Sequence, residues 1–154
     1  MVTVVYFVDR ELLGERLEYY KQLLTFFSEK ESWNALEEKL ALERVIHMSI
    51  ETMIDVGNQM IDGFIMRDPG SYDDVIDILI DERVIEASDG KSLKRVIQLR
   101  KQLLQEYTVI DHNMLINIMK EELKVLITFP QKVRAYLENE LGPVSAFLPQ
   151  KNRQ

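Results

Sequence analysis

The sequence predicts an all-α fold, an antiparallel bundle of about five helices formed by a single domain over residues 1–154. Two observations carry that expectation. Apolar residues recur at spacings of three and four over most of the chain, and the breaks fall at short clusters of turn and capping residues such as Asp68-Pro69-Gly70 and Ser88-Asp89-Gly90. Connections that short make consecutive helices antiparallel neighbours. The chain has no cysteine, so its core must come from packing alone, without disulfides or thiolate metal sites.

Residues 1–8 open the chain with a β-branched and aromatic run, Val2 to Val8, which favours an extended lead-in because no partner strand follows. Asp9 can cap a first helix from Arg10 to about Lys30, with Leu12, Leu13, Leu17, Tyr20, Leu23, Leu24 and Phe27 at core spacing. Ser32 is the candidate cap of a long second helix that runs to about Met66 and presents Leu36, Leu40, Ile46, Ile50, Met53, Met60, Ile61 and Phe64 as apolar contacts. The methionines there and at Met114 to Met119 read as core filling. Ser71-Tyr72-Asp73-Asp74 reads as a capping box for a third helix ending near Val84, and Ser88-Asp89-Gly90 as the turn into a fourth, Lys91 to Tyr107. Asp111 can cap the last helix. Pro130 should kink or end that helix, because proline removes a hydrogen bond and clashes one turn back. Gln131 to Leu141 can resume it, Gly142-Pro143 closes it, and the tail from about 143 to 154 is expected to be loose.

The formal net charge of −7 argues against broad, non-specific nucleic-acid binding, which needs a basic surface to displace counterions. The charge is nevertheless uneven: Lys91 to Lys101 holds five basic residues and no acidic one. This strip can receive a short stretch of phosphate backbone, or it can be a solvated face balanced by acidic neighbours. No apolar run approaches the roughly 18 residues of a membrane span, and Met1 to Val8 has no leader character, so a cytoplasmic protein is expected. Two histidines far apart in sequence make no metal-binding signature, and no cofactor motif is present.

One side chain stands out. On a helical wheel Arg100 falls inside an apolar stripe with Leu93, Val96, Ile97, Leu99, Leu103, Leu104 and Tyr107. A guanidinium there must be paired or must look into a cleft, since burying it alone costs several kcal/mol or more. The polar stripe of the second helix, Glu43, His47, Glu51, Asp55, Asn58 and Asp62, offers partners, Glu51 and Asp55 above all; left alone it would be a solvated face.

Arg100 and Tyr107, seven positions apart with a dileucine between them and Thr108-Val109-Ile110-Asp111 after them, resemble the R-x4-H-x-Y signature of the HepT-like branch of the HEPN superfamily. The resemblance extends through Ala41-Leu42-Glu43-Arg44, Ile50-Glu51, Ile54-Asp55, Gly57-Asn58 and Pro69-Gly70-Ser71-Tyr72, roughly from Tyr6 to Phe129. It departs from the family at two positions: the motif histidine is Gln105, and the asparagine that usually follows the arginine is Lys101.

The resemblance implies a homodimeric helical bundle with the motif facing the dimer cleft, and a metal-independent endoribonuclease of a toxin-antitoxin module. It implies Arg100 as the cation for a phosphate or its transition state and Gln105 as a degenerate acid–base position; beside them the basic strip offers Lys101, Arg95 and Lys94 as auxiliary phosphate contacts. Tyr107 would be the acceptor of AMP from a minimal nucleotidyltransferase antitoxin; otherwise it is a core tyrosine whose hydroxyl meets a partner such as Arg100. Glutamine can donate and accept hydrogen bonds but cannot exchange a proton near neutrality, a loss of about 10² to 10⁴ in rate. Arg100 and Gln105 also point about 140° apart on an ideal helix, so a distorted helix or a two-fold partner is needed to aim both at one phosphate. His47 and His112 are the remaining histidines and the candidates to substitute for the motif histidine; His112 is read first as a local hydrogen-bonding residue and His47 as part of the polar stripe of the second helix. Two alternatives stay open: a non-catalytic dimer that binds a nucleotide, RNA or protein partner, and a structural dimer in which Arg100 merely pairs with Glu51 or Asp55.

Overall fold

The structure, a computed structural model, describes residues 7–142. Residues 1–6 of the lead-in expected over 1–8, and the tail expected over 143–154, lie outside the described residues. Among these residues every regular element is a helix: α1 (Arg10–Glu29), α2 (Leu36–Gly63), α3 (Tyr72–Asp81), α4 (Ala87–Ile97), α5 (Leu99–Leu104) and α6 (His112–Leu141). Helix α2 packs on α1, α3 and α5, α4 on α3, α5 and α6, and α6 on α1. The neighbours therefore close a ring around one apolar core. Its spine is α2, whose Leu42, Ile46, Ile50, Met53, Ile54, Met60 and Ile61 are buried, joined from α6 by Met119.

Three helix starts follow the capping chemistry of the sequence. The side chains of Asp9, Ser71 and Asp111 accept from the backbone N–H groups of Leu12, Asp74 and Met114 at 3.0, 3.1 and 3.1 Å. Ser32 does not cap α2. That helix begins at Leu36, where Glu38 reaches back to accept from the Ala35 N–H at 3.0 Å. The residues before it form a connection sealed by Trp33, whose ring stacks on Phe27 at 5.8 Å and meets the edge of Phe26 at 5.7 Å. Leu36 and Leu40, expected to face the core, are exposed, because they share the face of Glu43 and His47 and not that of Leu42 and Ile46.

Ser88-Asp89-Gly90 is not a turn but the first turn of α4, and α3 ends at Asp81, a few residues before Val84. Asp89 accepts from the Glu86 N–H at 3.1 Å and from Lys132 of α6 at 3.0 Å. Gly90 is there for proximity: a Cβ would lie 2.3 Å from Ile80 Cδ1, so only glycine lets α4 approach α3 this closely. Gly57 does the same between α2 and α3, where a Cβ would lie 2.5 Å from Val75 Cγ1.

Pro130 neither ends nor divides the last helix, which runs unbroken from His112 to Leu141. A proline has no N–H to give the carbonyl of residue 126. The buried Tyr20 of α1 supplies the missing donor, its hydroxyl bonding the Leu126 carbonyl at 2.8 Å while its ring leans on Phe129 at 5.9 Å. Burial pushes the Tyr20 hydroxyl well above its ordinary range, so it stays a donor.

Candidate functional site

The helix predicted from Lys91 to Tyr107 is two helices. It breaks at Gln98 into α4 and α5, and α5 stops at Leu104. The Gln102 side-chain carbonyl then accepts from the Asp111 N–H at 2.8 Å, drawing the chain back over the end of α5. The Gln105 N–H still makes a helical bond to Lys101 O at 2.8 Å, and the Val109 N–H bonds Glu106 O at 3.1 Å. Although Arg100 and Gln105 are five positions apart, both line one open cleft of about 320 Å³ with Lys101, Gln98, Ile97 and the start of α3, Ser71, Tyr72 and Asp73.

Arg100 is held without being sealed. Its Nε donates to Glu51 Oε1 at 2.8 Å, and its guanidinium carbon lies 4.5 Å from the centre of the Tyr72 ring. The Tyr72 hydroxyl donates to the other oxygen, Glu51 Oε2, at 2.7 Å. Glu51 thus receives one donor on each oxygen. Its partial burial disfavours the charge, but the hydrogen bonds from Tyr72 and Arg100 prevail and hold the carboxyl below the usual carboxylate range. The Glu51 hydrogen bond in turn raises Arg100, and desolvation followed by Glu51 raises Tyr72. No second carboxylate pairs with Arg100 among the described residues, and 40% of its side chain remains exposed. Asp55, one turn along α2, is exposed and does not take part in the pair.

The neighbouring cations are differently placed. Lys94 pairs with Asp77 of α3, and Arg95 lies 2.8 Å from Glu122 and 3.4 Å from Glu121 of α6. Acidic neighbours thus neutralise this half of the basic strip, and the cleft retains Arg100 and Lys101 as its lining cations. Gln98 reaches from the cleft wall to Asp73 at 3.3 Å.

Tyr107 is not a core tyrosine. It lies past α5 with 66% of its surface exposed, beside exposed Leu104 and Val109, and the tyrosine against Arg100 is Tyr72. His112 sits at the first turn of α6 and meets Glu43 of α2 at 2.7 Å, a tie between helices. His47 approaches Glu51 Oε1, the oxygen that holds Arg100, at 3.6 Å. The first half of the polar stripe of α2 is therefore engaged, Glu43 by His112 and Glu51 by Arg100, Tyr72 and His47, whereas Asp55 and Asp62 in its second half are exposed. Tyr72 is the residue that reading the sequence missed, since directly after a capping serine it is indistinguishable from an ordinary first-turn residue. Among the described residues no group of His, Asp and Glu has the arrangement of a metal site, and no helix is long and apolar enough to cross a membrane.

Known proteins place this geometry in a lineage. YutE of Bacillus subtilis (strain 168), named "Putative RNase YutE", is 47% identical over 143 residues, covering 93% of this chain and 99% of that protein. A solved structure of YutE, described as a cytosolic protein of unknown function, matches with a TM-score of 0.89 over 93% of this chain and 100% of its own. The family model Ribonuclease HepT-like matches residues 15–133, a span that takes in α2 through α5 and the whole Arg100 cleft, and the chain belongs to this HepT-like ribonuclease family.

Proposed function

We propose that the chain is a cytoplasmic, metal-independent endoribonuclease of low turnover, working as a homodimer and descended from the toxins of toxin-antitoxin modules. The observation that carries this reading is Arg100: fixed through Nε and its ring contact, half-exposed, and facing a cleft shared with Lys101 and Gln105. A guanidinium oriented in advance can take a phosphate oxygen and hold the negative charge that grows as a ribose 2′-hydroxyl attacks the neighbouring phosphorus. Lys101 adds a second positive charge and Gln105 a hydrogen bond without proton transfer. Lys94 and Arg95, being paired, contribute field and not direct contacts. Exposed Tyr107 fits the role of AMP acceptor for a nucleotidyltransferase antitoxin, and its apolar neighbours Leu104 and Val109 fit a protein surface that closes over it.

The cleft lining has glutamine where the family has histidine, and this favours a second reading: a non-catalytic dimer that binds a nucleotide, RNA or protein partner. Cleavage of single-stranded RNA in the presence of a chelator, by the parent, Arg100→Ala and Gln105→His, separates the two. The expected result is slow cutting by the parent, a fall of about 10² or more in Arg100→Ala, and a faster Gln105→His. Equal rates for the parent and Arg100→Ala would overturn the nuclease reading. RNA binding that depends on Arg100, with no cutting unless Gln105 becomes histidine, would select the binding module.

A further inference from the structure

One group near the cleft can do the proton transfer that Gln105 cannot. His47 lies 3.6 Å from Glu51 Oε1 through Nε2, and the same oxygen receives Arg100 Nε at 2.8 Å. Two side chains that converge on one carboxylate oxygen are close neighbours, and their common anchor is itself fixed by Tyr72 at 2.7 Å. About 30% of the His47 side chain is exposed. By contrast, His112 is tied to Glu43 on the α6 side of α2.

We propose that His47 is the catalytic base of this cleft, a role that rests on the nuclease reading above. In the step it serves, neutral His47 takes the proton of the ribose 2′-hydroxyl as that oxygen forms its bond to phosphorus. The bond from phosphorus to the 5′-oxygen breaks, and the leaving oxygen takes a proton from solvent water, since the cleft is open. The imidazolium then returns its proton to solvent. The products are a 2′,3′-cyclic phosphate and a 5′-hydroxyl, with no net gain or loss of electrons or protons. Glu51 is hydrogen-bonded to Arg100 and lies 3.6 Å from His47, so the base stands close to the phosphate-binding cation.

The charged and titratable groups around His47 are Glu43 and Glu51 on its own helix, Tyr72 of α3 and Arg100 of α5 beyond Glu51, and His112 of α6 on Glu43.

The test is the rate of cleavage of a short single-stranded RNA, in a chelator at one fixed pH, for the parent, His47→Ala, His47→Gln, Arg100→Ala and His112→Ala. His47→Ala and His47→Gln should lose about 10² in rate, and free imidazole should restore His47→Ala. His112→Ala should match the parent. RNA affinity of His47→Ala, measured beside the rates, should stay within about twofold of the parent. A parent-like rate in both His47 variants, or a loss that imidazole does not restore, overturns the proposal. If Arg100→Ala is still the slow variant, the nuclease reading survives. A parent that does not cut, or an Arg100→Ala that cuts as well as the parent, overturns both.

Discussion

Two places in this bundle put a polar group among apolar residues, and they settle it in opposite ways. At the crossing of α1 and α6, Pro130 leaves the Leu126 carbonyl without its helical donor, and the Tyr20 hydroxyl fills the gap in a fully buried, one-to-one bond. At the crossing of α2 and α5, Arg100 is anchored by Glu51 and Tyr72, yet much of its side chain stays exposed to an open cleft. The first arrangement spends all of its bonding capacity inside the fold, and the second keeps some for another molecule. A polar residue in an apolar stripe is therefore no sign of function by itself; unspent donors facing open space are.

The sealed crossing should cost more to disturb. Tyr20→Phe leaves the Leu126 carbonyl buried without a donor, and should lower stability by roughly 1–3 kcal/mol in urea unfolding. Pro130→Ala restores a backbone donor, so in the Tyr20→Phe background it should recover part of that loss. Strictly additive effects of the two changes would show that they do not share the carbonyl.

At the open crossing Glu51→Gln should cost less, about 1 kcal/mol near neutral pH, because the pair is only half-buried. The sign with pH follows from the depressed Glu51 carboxyl. Its folded value lies below its unfolded one, so its contribution is present above the ordinary carboxylate range and is lost as pH falls through the folded value. The stability difference between the parent and Glu51→Gln should thus shrink on acidification, and a difference that grew would contradict the assignment. The smallest effect belongs to the paired cations. Lys94→Ala and Arg95→Ala should each change RNA affinity by no more than about twofold, since Asp77, Glu121 and Glu122 already neutralise them.

How much of this was legible in the sequence differs from residue to residue. The helix-rich fold was open to reading because Asp9, Ser71 and Asp111 are strong local caps and the apolar spacing between them is regular. Arg100 was conspicuous because a charge interrupts that spacing, and Glu51 was within reach as a partner on the facing stripe. The break at Gln98 was hidden, since neither proline nor glycine marks it and the helical periodicity continues through it; the Gln102 bond to the Asp111 backbone is a tertiary event. Gly90 misled for a related reason: next to Ser88 and Asp89 it imitates a turn, whereas its use is to admit Ile80. Tyr72 could not be tied to the site, because only folding brings α3 to the carboxylate at which α2 and α5 meet.

The most direct test of the contrast is binding of a short single-stranded RNA to the parent and to Arg100→Ala, in a chelator, across a range of salt concentrations. If Arg100 keeps its capacity for a phosphate, the variant should bind about tenfold more weakly, with a salt slope shallower by about 0.7, the loss of one phosphate contact on a single strand. Equal affinity and equal slope would mean that Arg100, like Tyr20, is spent inside the fold.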